Sequence, residues 1–370
     1  MRPRHVYVHV PFCARRCSYC DFAIAVRPTL PVAEYLSALR AELFLRYEKE
    51  SWEVDTIYLG GGTPSMLGAD IARLLDLLRE FMHPVPGAEI TVEANPENVQ
   101  ADFAAYWNGA GVTRLSLGAQ SFDADVLTWM HRTHSVDHIE RAVDAARSAG
   151  IDNVSLDLIF ALPASLSRDW ERDLSRALAL EPAHISLYGL TVEPSTPLAH
   201  WIARGQASPA DDDVYAAEFL QAHDLAVTAG FEHYEVSNFA VAGRRARHNS
   251  AYWSGAAYTG LGPSAHEFDG TTRRWNKAPY AAWLTAVQAG TDPIDGSEQL
   301  TAENRETEAV YLGLRTTDGL VIEPGDEPVI GSWEAQQWVS RDARRAVLTP
   351  NGWLRLDALA ADLTYARSRS

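Results

Sequence analysis

The sequence predicts an α/β fold: a partial (β/α)6 barrel followed by a smaller, mostly helical C-terminal domain. Three observations carry that expectation. Short β-branched or apolar segments, each followed by a helical pattern, recur through the first half of the chain at uneven spacings of about 25 to 50 residues, as a βα repeat does. The polar residues that end these segments form a set, and groups that do chemistry in parallel barrels sit at strand carboxyl ends. The length, 370 residues, exceeds what one hydrophobic core usually spans, which argues for a second, smaller domain.

In order, the candidate strands are His5 to Val10, Val54 to Leu59, Glu89 to Val92, Arg114 to Leu117, Val154 to Leu158 and His184 to Leu187. Amphipathic stretches lie between them, among them Val32 to Tyr47, Ile71 to Phe81 and Val136 to Ser148. Six units fit a parallel sheet curled into a partial barrel, and a flat doubly wound sheet would show the same alternation. The strand ends distinguish the chain further. A cysteine loop follows the first strand, and Gly60-Gly61-Gly62-Thr63-Pro64 follows the second. Glu93 ends the third, Gln120 the fourth, Asp157 lies on the fifth, and Tyr188 and Gly189 close the sixth. In a barrel all of these converge on one mouth. Beyond Leu198, Ala210 to Ala229 reads as helix, and Phe239 to Arg274, rich in Gly, His and aromatics without a clear period, reads as a functional loop. After a boundary near Thr291 to Gly296, a helix is expected over Ala302 to Arg315, capped by Thr301 with Asn304 in place of the usual Glu. Trp333, Trp338 and Trp353 read as core fillers of a small helical or winged domain.

Composition excludes several functions. Thirty-two Lys+Arg against 49 Asp+Glu give a formal charge of −17, the wrong sign for a protein held to phosphate backbones, so nucleic-acid binding is not expected. The only lysines are Lys49 and Lys277, which leaves little for Schiff-base chemistry. No segment approaches the ~20 apolar residues of a membrane span, and no apolar stretch of signal-peptide type precedes Cys13, so a cytoplasmic protein is expected.

All three cysteines lie within eight residues, at Cys13, Cys17 and Cys20. An odd, clustered set excludes a disulfide framework, and thiols packed so closely in a reducing compartment point to metal. The spacing suits a [4Fe-4S] cubane with three protein-ligated irons and one open. The alternative is a Cys3His zinc site completed by His9, although zinc sites usually pair their cysteines as two knuckles.

Cys13-x3-Cys17-x2-Cys20 after the first strand, with Tyr19 before the last cysteine, resembles the radical S-adenosylmethionine superfamily, and Gly60-Gly61-Gly62-Thr63-Pro64 resembles its glycine motif. The resemblance implies that the open iron chelates the methionine end of S-adenosylmethionine, and that a reducing electron from a donor cleaves the sulfonium. From Tyr7 to about Leu320 the chain resembles the branch that holds oxygen-independent coproporphyrinogen III oxidase and the HemW-type haem chaperones. The blocks are Tyr7 to Cys13, Glu93 to Glu97, Leu117 to Phe122 and Asp157 to Pro163. By that resemblance Tyr7, Tyr19, Gly61, Gly62, Thr63 and Glu93 belong to the S-adenosylmethionine site, and residues matching Gln120, Arg132 and Asp157 hold a second molecule in the oxidase.

Two departures favour the chaperone type. The oxidase has a further cysteine where this chain has Phe22, and it carries an N-terminal extension ahead of the cysteine loop. His248-Asn249-Ser250-Ala251-Tyr252-Trp253 is similar to the chaperone's HNxxYW pattern. A histidine nitrogen is a competent haem-iron ligand and flanking aromatics can stack on a porphyrin, so His248, Asn249, Tyr252 and Trp253 are the expected haem-binding residues. His266 is a second nearby candidate, ranked below His248 as a structural or nucleotide-contacting residue. The expected organisation is a barrel over 1–200 with the cluster loop, a barrel extension with the haem motif over 201–295, and a small domain over 296–370. The expected function is to bind haem and deliver it to a haem-dependent acceptor protein. The alternative is radical decarboxylation of coproporphyrinogen propionates to vinyls.

Overall fold

The computed structural model describes residues 2–47 and 51–369; Lys49 lies outside them. Six strands follow one another as expected: β1 His5–Val10, β2 Trp52–Gly61, β3 Met82–Ala94, β4 Arg114–Gln120, β5 Asn153–Phe160 and β6 His184–Gly189. They pair in chain order, every pairing parallel. Helices Val32–Tyr47, Asp70–Arg79, Ala101–Gly109, Val136–Ser148 and Trp170–Ala179 fall between them. The partial barrel is therefore the observed architecture. Strand β3 is far longer than Glu89 to Val92: its first part, carrying Pro84, Pro86 and Gly87, pairs with Trp52 to Val54 before a register shift. Proline and glycine obscure a strand in the sequence because they signal turns.

Phe239 to Arg274 is not an irregular loop. It holds β8 Asn238–Ala240, the helix Arg247–Trp253, β9 Tyr258–Leu261, β10 His266–Phe268 and most of β11 Thr272–Asn276. Strand β9 pairs parallel to β1 and so adds a seventh parallel strand. Strands β10, β11 and β12 Ile294–Gln299 continue from it antiparallel, while β8 and β7 Glu232–Glu235 cover β6 at the other edge. The order of this twelve-stranded sheet, among the described residues, is β12-β11-β10-β9-β1-β2-β3-β4-β5-β6-β8-β7.

The strands of the barrel alternate. Val6, Val8 and Val10, Ile57 and Leu59, Ile90 and Val92, Leu115 and Leu117, Val154, Leu156 and Leu158, and Ile185 and Leu187 are all buried in one continuous core that includes the helices. Burying each such side chain is worth about 1.5–3 kcal/mol. The intervening positions are polar: His5, Tyr7 and His9 stand in register with Thr56, Tyr58 and Gly60, and Glu93 with Ser116 and Ser155. A parallel sheet with both faces covered usually reads as a continuous apolar run. Here the interior is polar, so the lumen is a site rather than a second core.

After Gln299 the helix Ala302–Arg315 begins where Thr301 and Asn304 cap each other reciprocally, Asn304 N donating to Thr301 Oγ1 (3.1 Å) and Thr301 N to Asn304 Oδ1 (3.0 Å). A separate three-stranded antiparallel sheet, β13 Leu320–Val321, β14 Val339–Asp342 and β15 Arg345–Leu348, follows with further helices. Trp333 and Trp353 are buried there, and Trp353 Nε1 donates to Leu314 O (3.1 Å). Trp338 is half-buried, with the Arg355 guanidinium over its ring. Among the described residues no helix is long and apolar enough to cross a membrane.

Candidate functional site

The cysteine loop leaves β1 and returns through a short ladder, Phe12–Cys13 beside Ala25–Val26. Backbone bonds fix it: Gly62 N donates to Val10 O (2.8 Å), Thr63 N to Phe12 O (2.8 Å) and Ser18 N to Met130 O (3.1 Å). Gly61 and Gly62 are required by this packing. A Cβ on Gly62 would lie 2.7 Å from Phe12 O, and Gly61 has φ 111 with its missing Cβ 2.6 Å from the His9 ring. The glycines thus let β2 close against the cysteine loop, a steric reason internal to the protein.

Cys13, Cys17, Tyr19, Cys20, Gly61, Gly62, Thr63, Glu93, Gln120, Arg132 and Asp157 line one cavity of about 420 Å³ at the strands' carboxyl ends. Residues up to 180 positions apart in the chain meet there, Cys13 and Glu193 being the extremes. No disulfide joins the cysteines. Burial raises the Cys13 thiol, and raises Cys20 to about 11. Thiols so placed ionise when a bound metal replaces the proton. Cys13 Sγ lies 3.4 Å from Thr63 Oγ1, and Arg132 Nη1 donates to Cys17 Sγ (3.4 Å). Arg132 is held by Asn95 Oδ1 (2.7 Å) and Gly118 O (2.9 Å), and its buried Nε has no partner. Among the described residues no three His, Cys, Asp or Glu side chains converge tightly enough for a single metal ion. His9, the fourth ligand of a zinc alternative, has Nδ1 on Tyr7 Oη (3.1 Å) and Nε2 on Ala23 O (3.0 Å). The cysteine loop offers three thiols while the His9 imidazole is engaged, and that set fits a cubane with an open iron.

Glu93 accepts from Tyr58 Oη (2.7 Å) and from Gly61 N (3.0 Å). Burial, reinforced by Asp157, pushes its carboxyl up to about 7 against those hydrogen bonds. Asp157 accepts from Ser116 Oγ (3.1 Å) and Ser155 Oγ (3.3 Å) and is likewise raised by burial. Gln120 has φ 64, a conformation uncommon for a non-glycine residue and typical of positions that a site over-determines.

A second cavity, of about 1540 Å³, adjoins the first and shares Phe22, Ile24, Gly61 and Glu93 with it. Tyr7, Tyr252 and Trp253 line this one. His248 does not. It is 1% exposed, with Nδ1 on Thr56 Oγ1 (2.7 Å) and Nε2 on Tyr252 Oη (2.8 Å), and burial lowers its pKa to about 3. Both ring nitrogens are engaged, so the expected iron ligand is in the geometry of an orienter that fixes Tyr252. Asn249, on the same helix, lines neither cavity. That helix starts on the β3 residue Glu89, which accepts from Arg247 N (3.0 Å) and His248 N (2.9 Å). Tyr58, Ser116 and Ser155 were not among the residues the sequence singled out, and His9 was named only as a zinc ligand. Their signal was period two within each strand, polar residues alternating with Val, Ile and Leu.

A parallel partial barrel that gathers three cysteines, a glycine turn and a buried glutamate at its mouth defines a radical S-adenosylmethionine protein. Residues 7–177 match the family model of the Radical SAM superfamily. The chain is 40% identical over 326 residues to "Heme chaperone HemW" of Mycobacterium tuberculosis, covering 87% of this chain and 84% of that one. It is 34% identical over 320 residues to the protein of the same name in Bacillus subtilis, covering 86% and 84%. The solved structure of coproporphyrinogen III oxidase (HemN) from Escherichia coli superposes with a TM-score of 0.83 at 22% identity, covering 98% of this chain and 90% of that one, which shows a common fold. The chain belongs to the HemW family of the radical SAM superfamily.

The raised Glu93 carboxyl carries a pH prediction. Its folded pKa, about 7, lies above the ordinary 4.5, so its contribution to stability is full below about pH 4.5 and is lost as pH rises through 7. Glu93→Gln removes that dependence. Because the group lines cavities open to water, we expect the variant to gain only on the order of 1–2 kcal/mol relative to wild type between pH 5 and pH 8. Parallel denaturant titrations at the two pH values check this, and an equal difference at both would show that the carboxyl ionises normally.

Proposed function

We propose that the protein binds a [4Fe-4S] cluster through Cys13, Cys17 and Cys20, holds S-adenosylmethionine in the smaller cavity, and carries haem in the larger one for delivery to a haem-dependent acceptor protein. The observation that carries the reading is the pair of adjoining cavities. The smaller is walled by thiols, glycines and carboxylates; the larger is walled by Tyr252, Trp253, Tyr258, Phe268 and Trp275. At about 1540 Å³ the larger exceeds the ~300–1,000 Å³ of an ordinary small-ligand cleft, and its aromatic lining suits a broad, flat ligand. Relatives at 34–40% identity bear the name heme chaperone, in keeping with a cargo role.

When bound, the cluster and S-adenosylmethionine supply one-electron chemistry, given an electron donor. The chain's own residues do the rest. Arg132 places a guanidinium against Cys17 and stabilises thiolate charge. Glu93, fixed by Tyr58 and Gly61, presents a carboxylate where an ammonium or ribose hydroxyl would be received. Glu93→Ala is expected to weaken S-adenosylmethionine binding by about tenfold or more while the cluster still assembles. Equilibrium dialysis checks it, and unchanged affinity would leave Glu93 a local partner of Tyr58 only. The function itself is tested by mixing haem-loaded protein with a haem-free haem enzyme and following acceptor activity. Anaerobic incubation with coproporphyrinogen and S-adenosylmethionine tests the oxidase reading, and turnover there would displace the chaperone.

A further inference from the structure

Resting on the haem-carrying reading, we infer that His266 is the side chain that ligates haem iron in the larger cavity. His266 lies on β10 opposite Trp275 of β11, and the two rings stack at 6.0 Å and 28°. This stacking fixes the plane of the imidazole. The residue is exposed, lines the cavity, and among the described residues its ring makes no hydrogen bond.

The other imidazole, phenol, thioether and thiol donors are less suited. His9 and His248 have both nitrogens engaged. Burial raises the phenols of Tyr7, Tyr252 and Tyr258, which disfavours phenolate ligation. Met66, Met82 and Met130 line neither cavity, and the thiols face the smaller one. Partial desolvation, with Arg273 nearby, lowers the His266 pKa and so favours the neutral imidazole, whose lone pair can ligate a metal. Around it stand Trp253, Tyr258 and Phe268, flat surfaces against which a macrocycle can lie, and Arg273, whose guanidinium sits over the Phe268 ring and pairs with Glu308.

The test uses the full chain, titrated with ferric haem and read by Soret absorbance and haem EPR, for wild type, His266→Ala, His266→Gln and His248→Ala. We expect both His266 variants to lose the nitrogen-ligated ferric signature and about tenfold or more in affinity, with added imidazole restoring the signature. His248→Ala should keep nitrogen ligation. Circular dichroism matching wild type confirms folding. If the His266 variants bind haem with the wild-type spectrum, the assignment is overturned while the haem-carrying reading stands. If wild type binds no haem at all, that reading falls and the assignment with it.

Discussion

Replacing Cys17 by Ala is expected to abolish the iron–sulfur cluster outright: no sulfide, no cluster absorbance and no EPR signal after anaerobic reconstitution and reduction. The chain has three cysteines and no spare, and a cubane with one open iron already uses the smallest ligand set that holds it firmly. Cys17 is also the thiol that Arg132 addresses at 3.4 Å, so its loss leaves a buried guanidinium without its sulfur partner as well as an iron without a ligand. His9 cannot substitute without breaking its bonds to Tyr7 and Ala23. A full complement of iron and sulfide in the Cys17→Ala protein would show that the cluster is held elsewhere.

The largest effect on stability is expected at Glu42, far from that chemistry. Glu42 lies on the helix Val32–Tyr47 and is fully buried. Its carboxylate accepts from Gly262 N (2.9 Å), Asn276 Nδ2 (2.7 Å) and Trp283 Nε1 (3.0 Å), and pairs with Arg46 at 3.3 Å. Arg46, itself nearly buried, donates to Gly260 O (2.9 Å) and pairs with Glu267 and Asp292. These two residues fasten the strands β9, β10 and β11 to the barrel. Glu42→Ala removes one partner of a buried ion pair and leaves two side-chain donors, a backbone N–H and a guanidinium short of an acceptor, for which about 3–5 kcal/mol is the usual cost. Glu42→Gln keeps the shape and part of the hydrogen bonding and should lose less. Thermal and urea unfolding of both variants measure this; an Ala variant with the wild-type midpoint would mean that water enters and replaces the carboxylate.

That hub also explains why part of the fold was illegible in the sequence. The helices Val32–Tyr47 and Val136–Ser148 agree to the residue with the amphipathic pattern, because their spacing is local. The strands β9 to β11 are three to five residues long, and what holds them, the pairing of β9 with β1 and the bonds to Glu42, comes from about 220 to 250 residues away and leaves no periodic trace. The cluster residues were legible because they are crowded into eight positions, and Glu93 and Asp157 because strand ends in a barrel point to one place. His248, expected as the iron ligand or its immediate orienter, shows what neighbours in sequence leave open. An imidazole beside Tyr252 and Trp253 reads as a ligand, but burial and the Thr56 hydroxyl on the facing strand decide its role, and neither is visible from neighbours in sequence. His266 carries only the signal of a histidine on a strand facing Trp275, which requires the strand pairing to interpret.

The two cavities share Gly61 and Glu93, and Glu93 holds both the backbone of one and the edge of the other. Two ligands that each bear on a single carboxylate cannot bind independently: whichever arrives first sets its charge and position for the second. Linkage then requires reciprocity, each occupant changing the other's dissociation constant by the same factor, and couplings of this kind are typically about 1–3 kcal/mol. Occupancy of one cavity is thereby felt in the other with no hinge and no domain movement, through one side chain in a common wall.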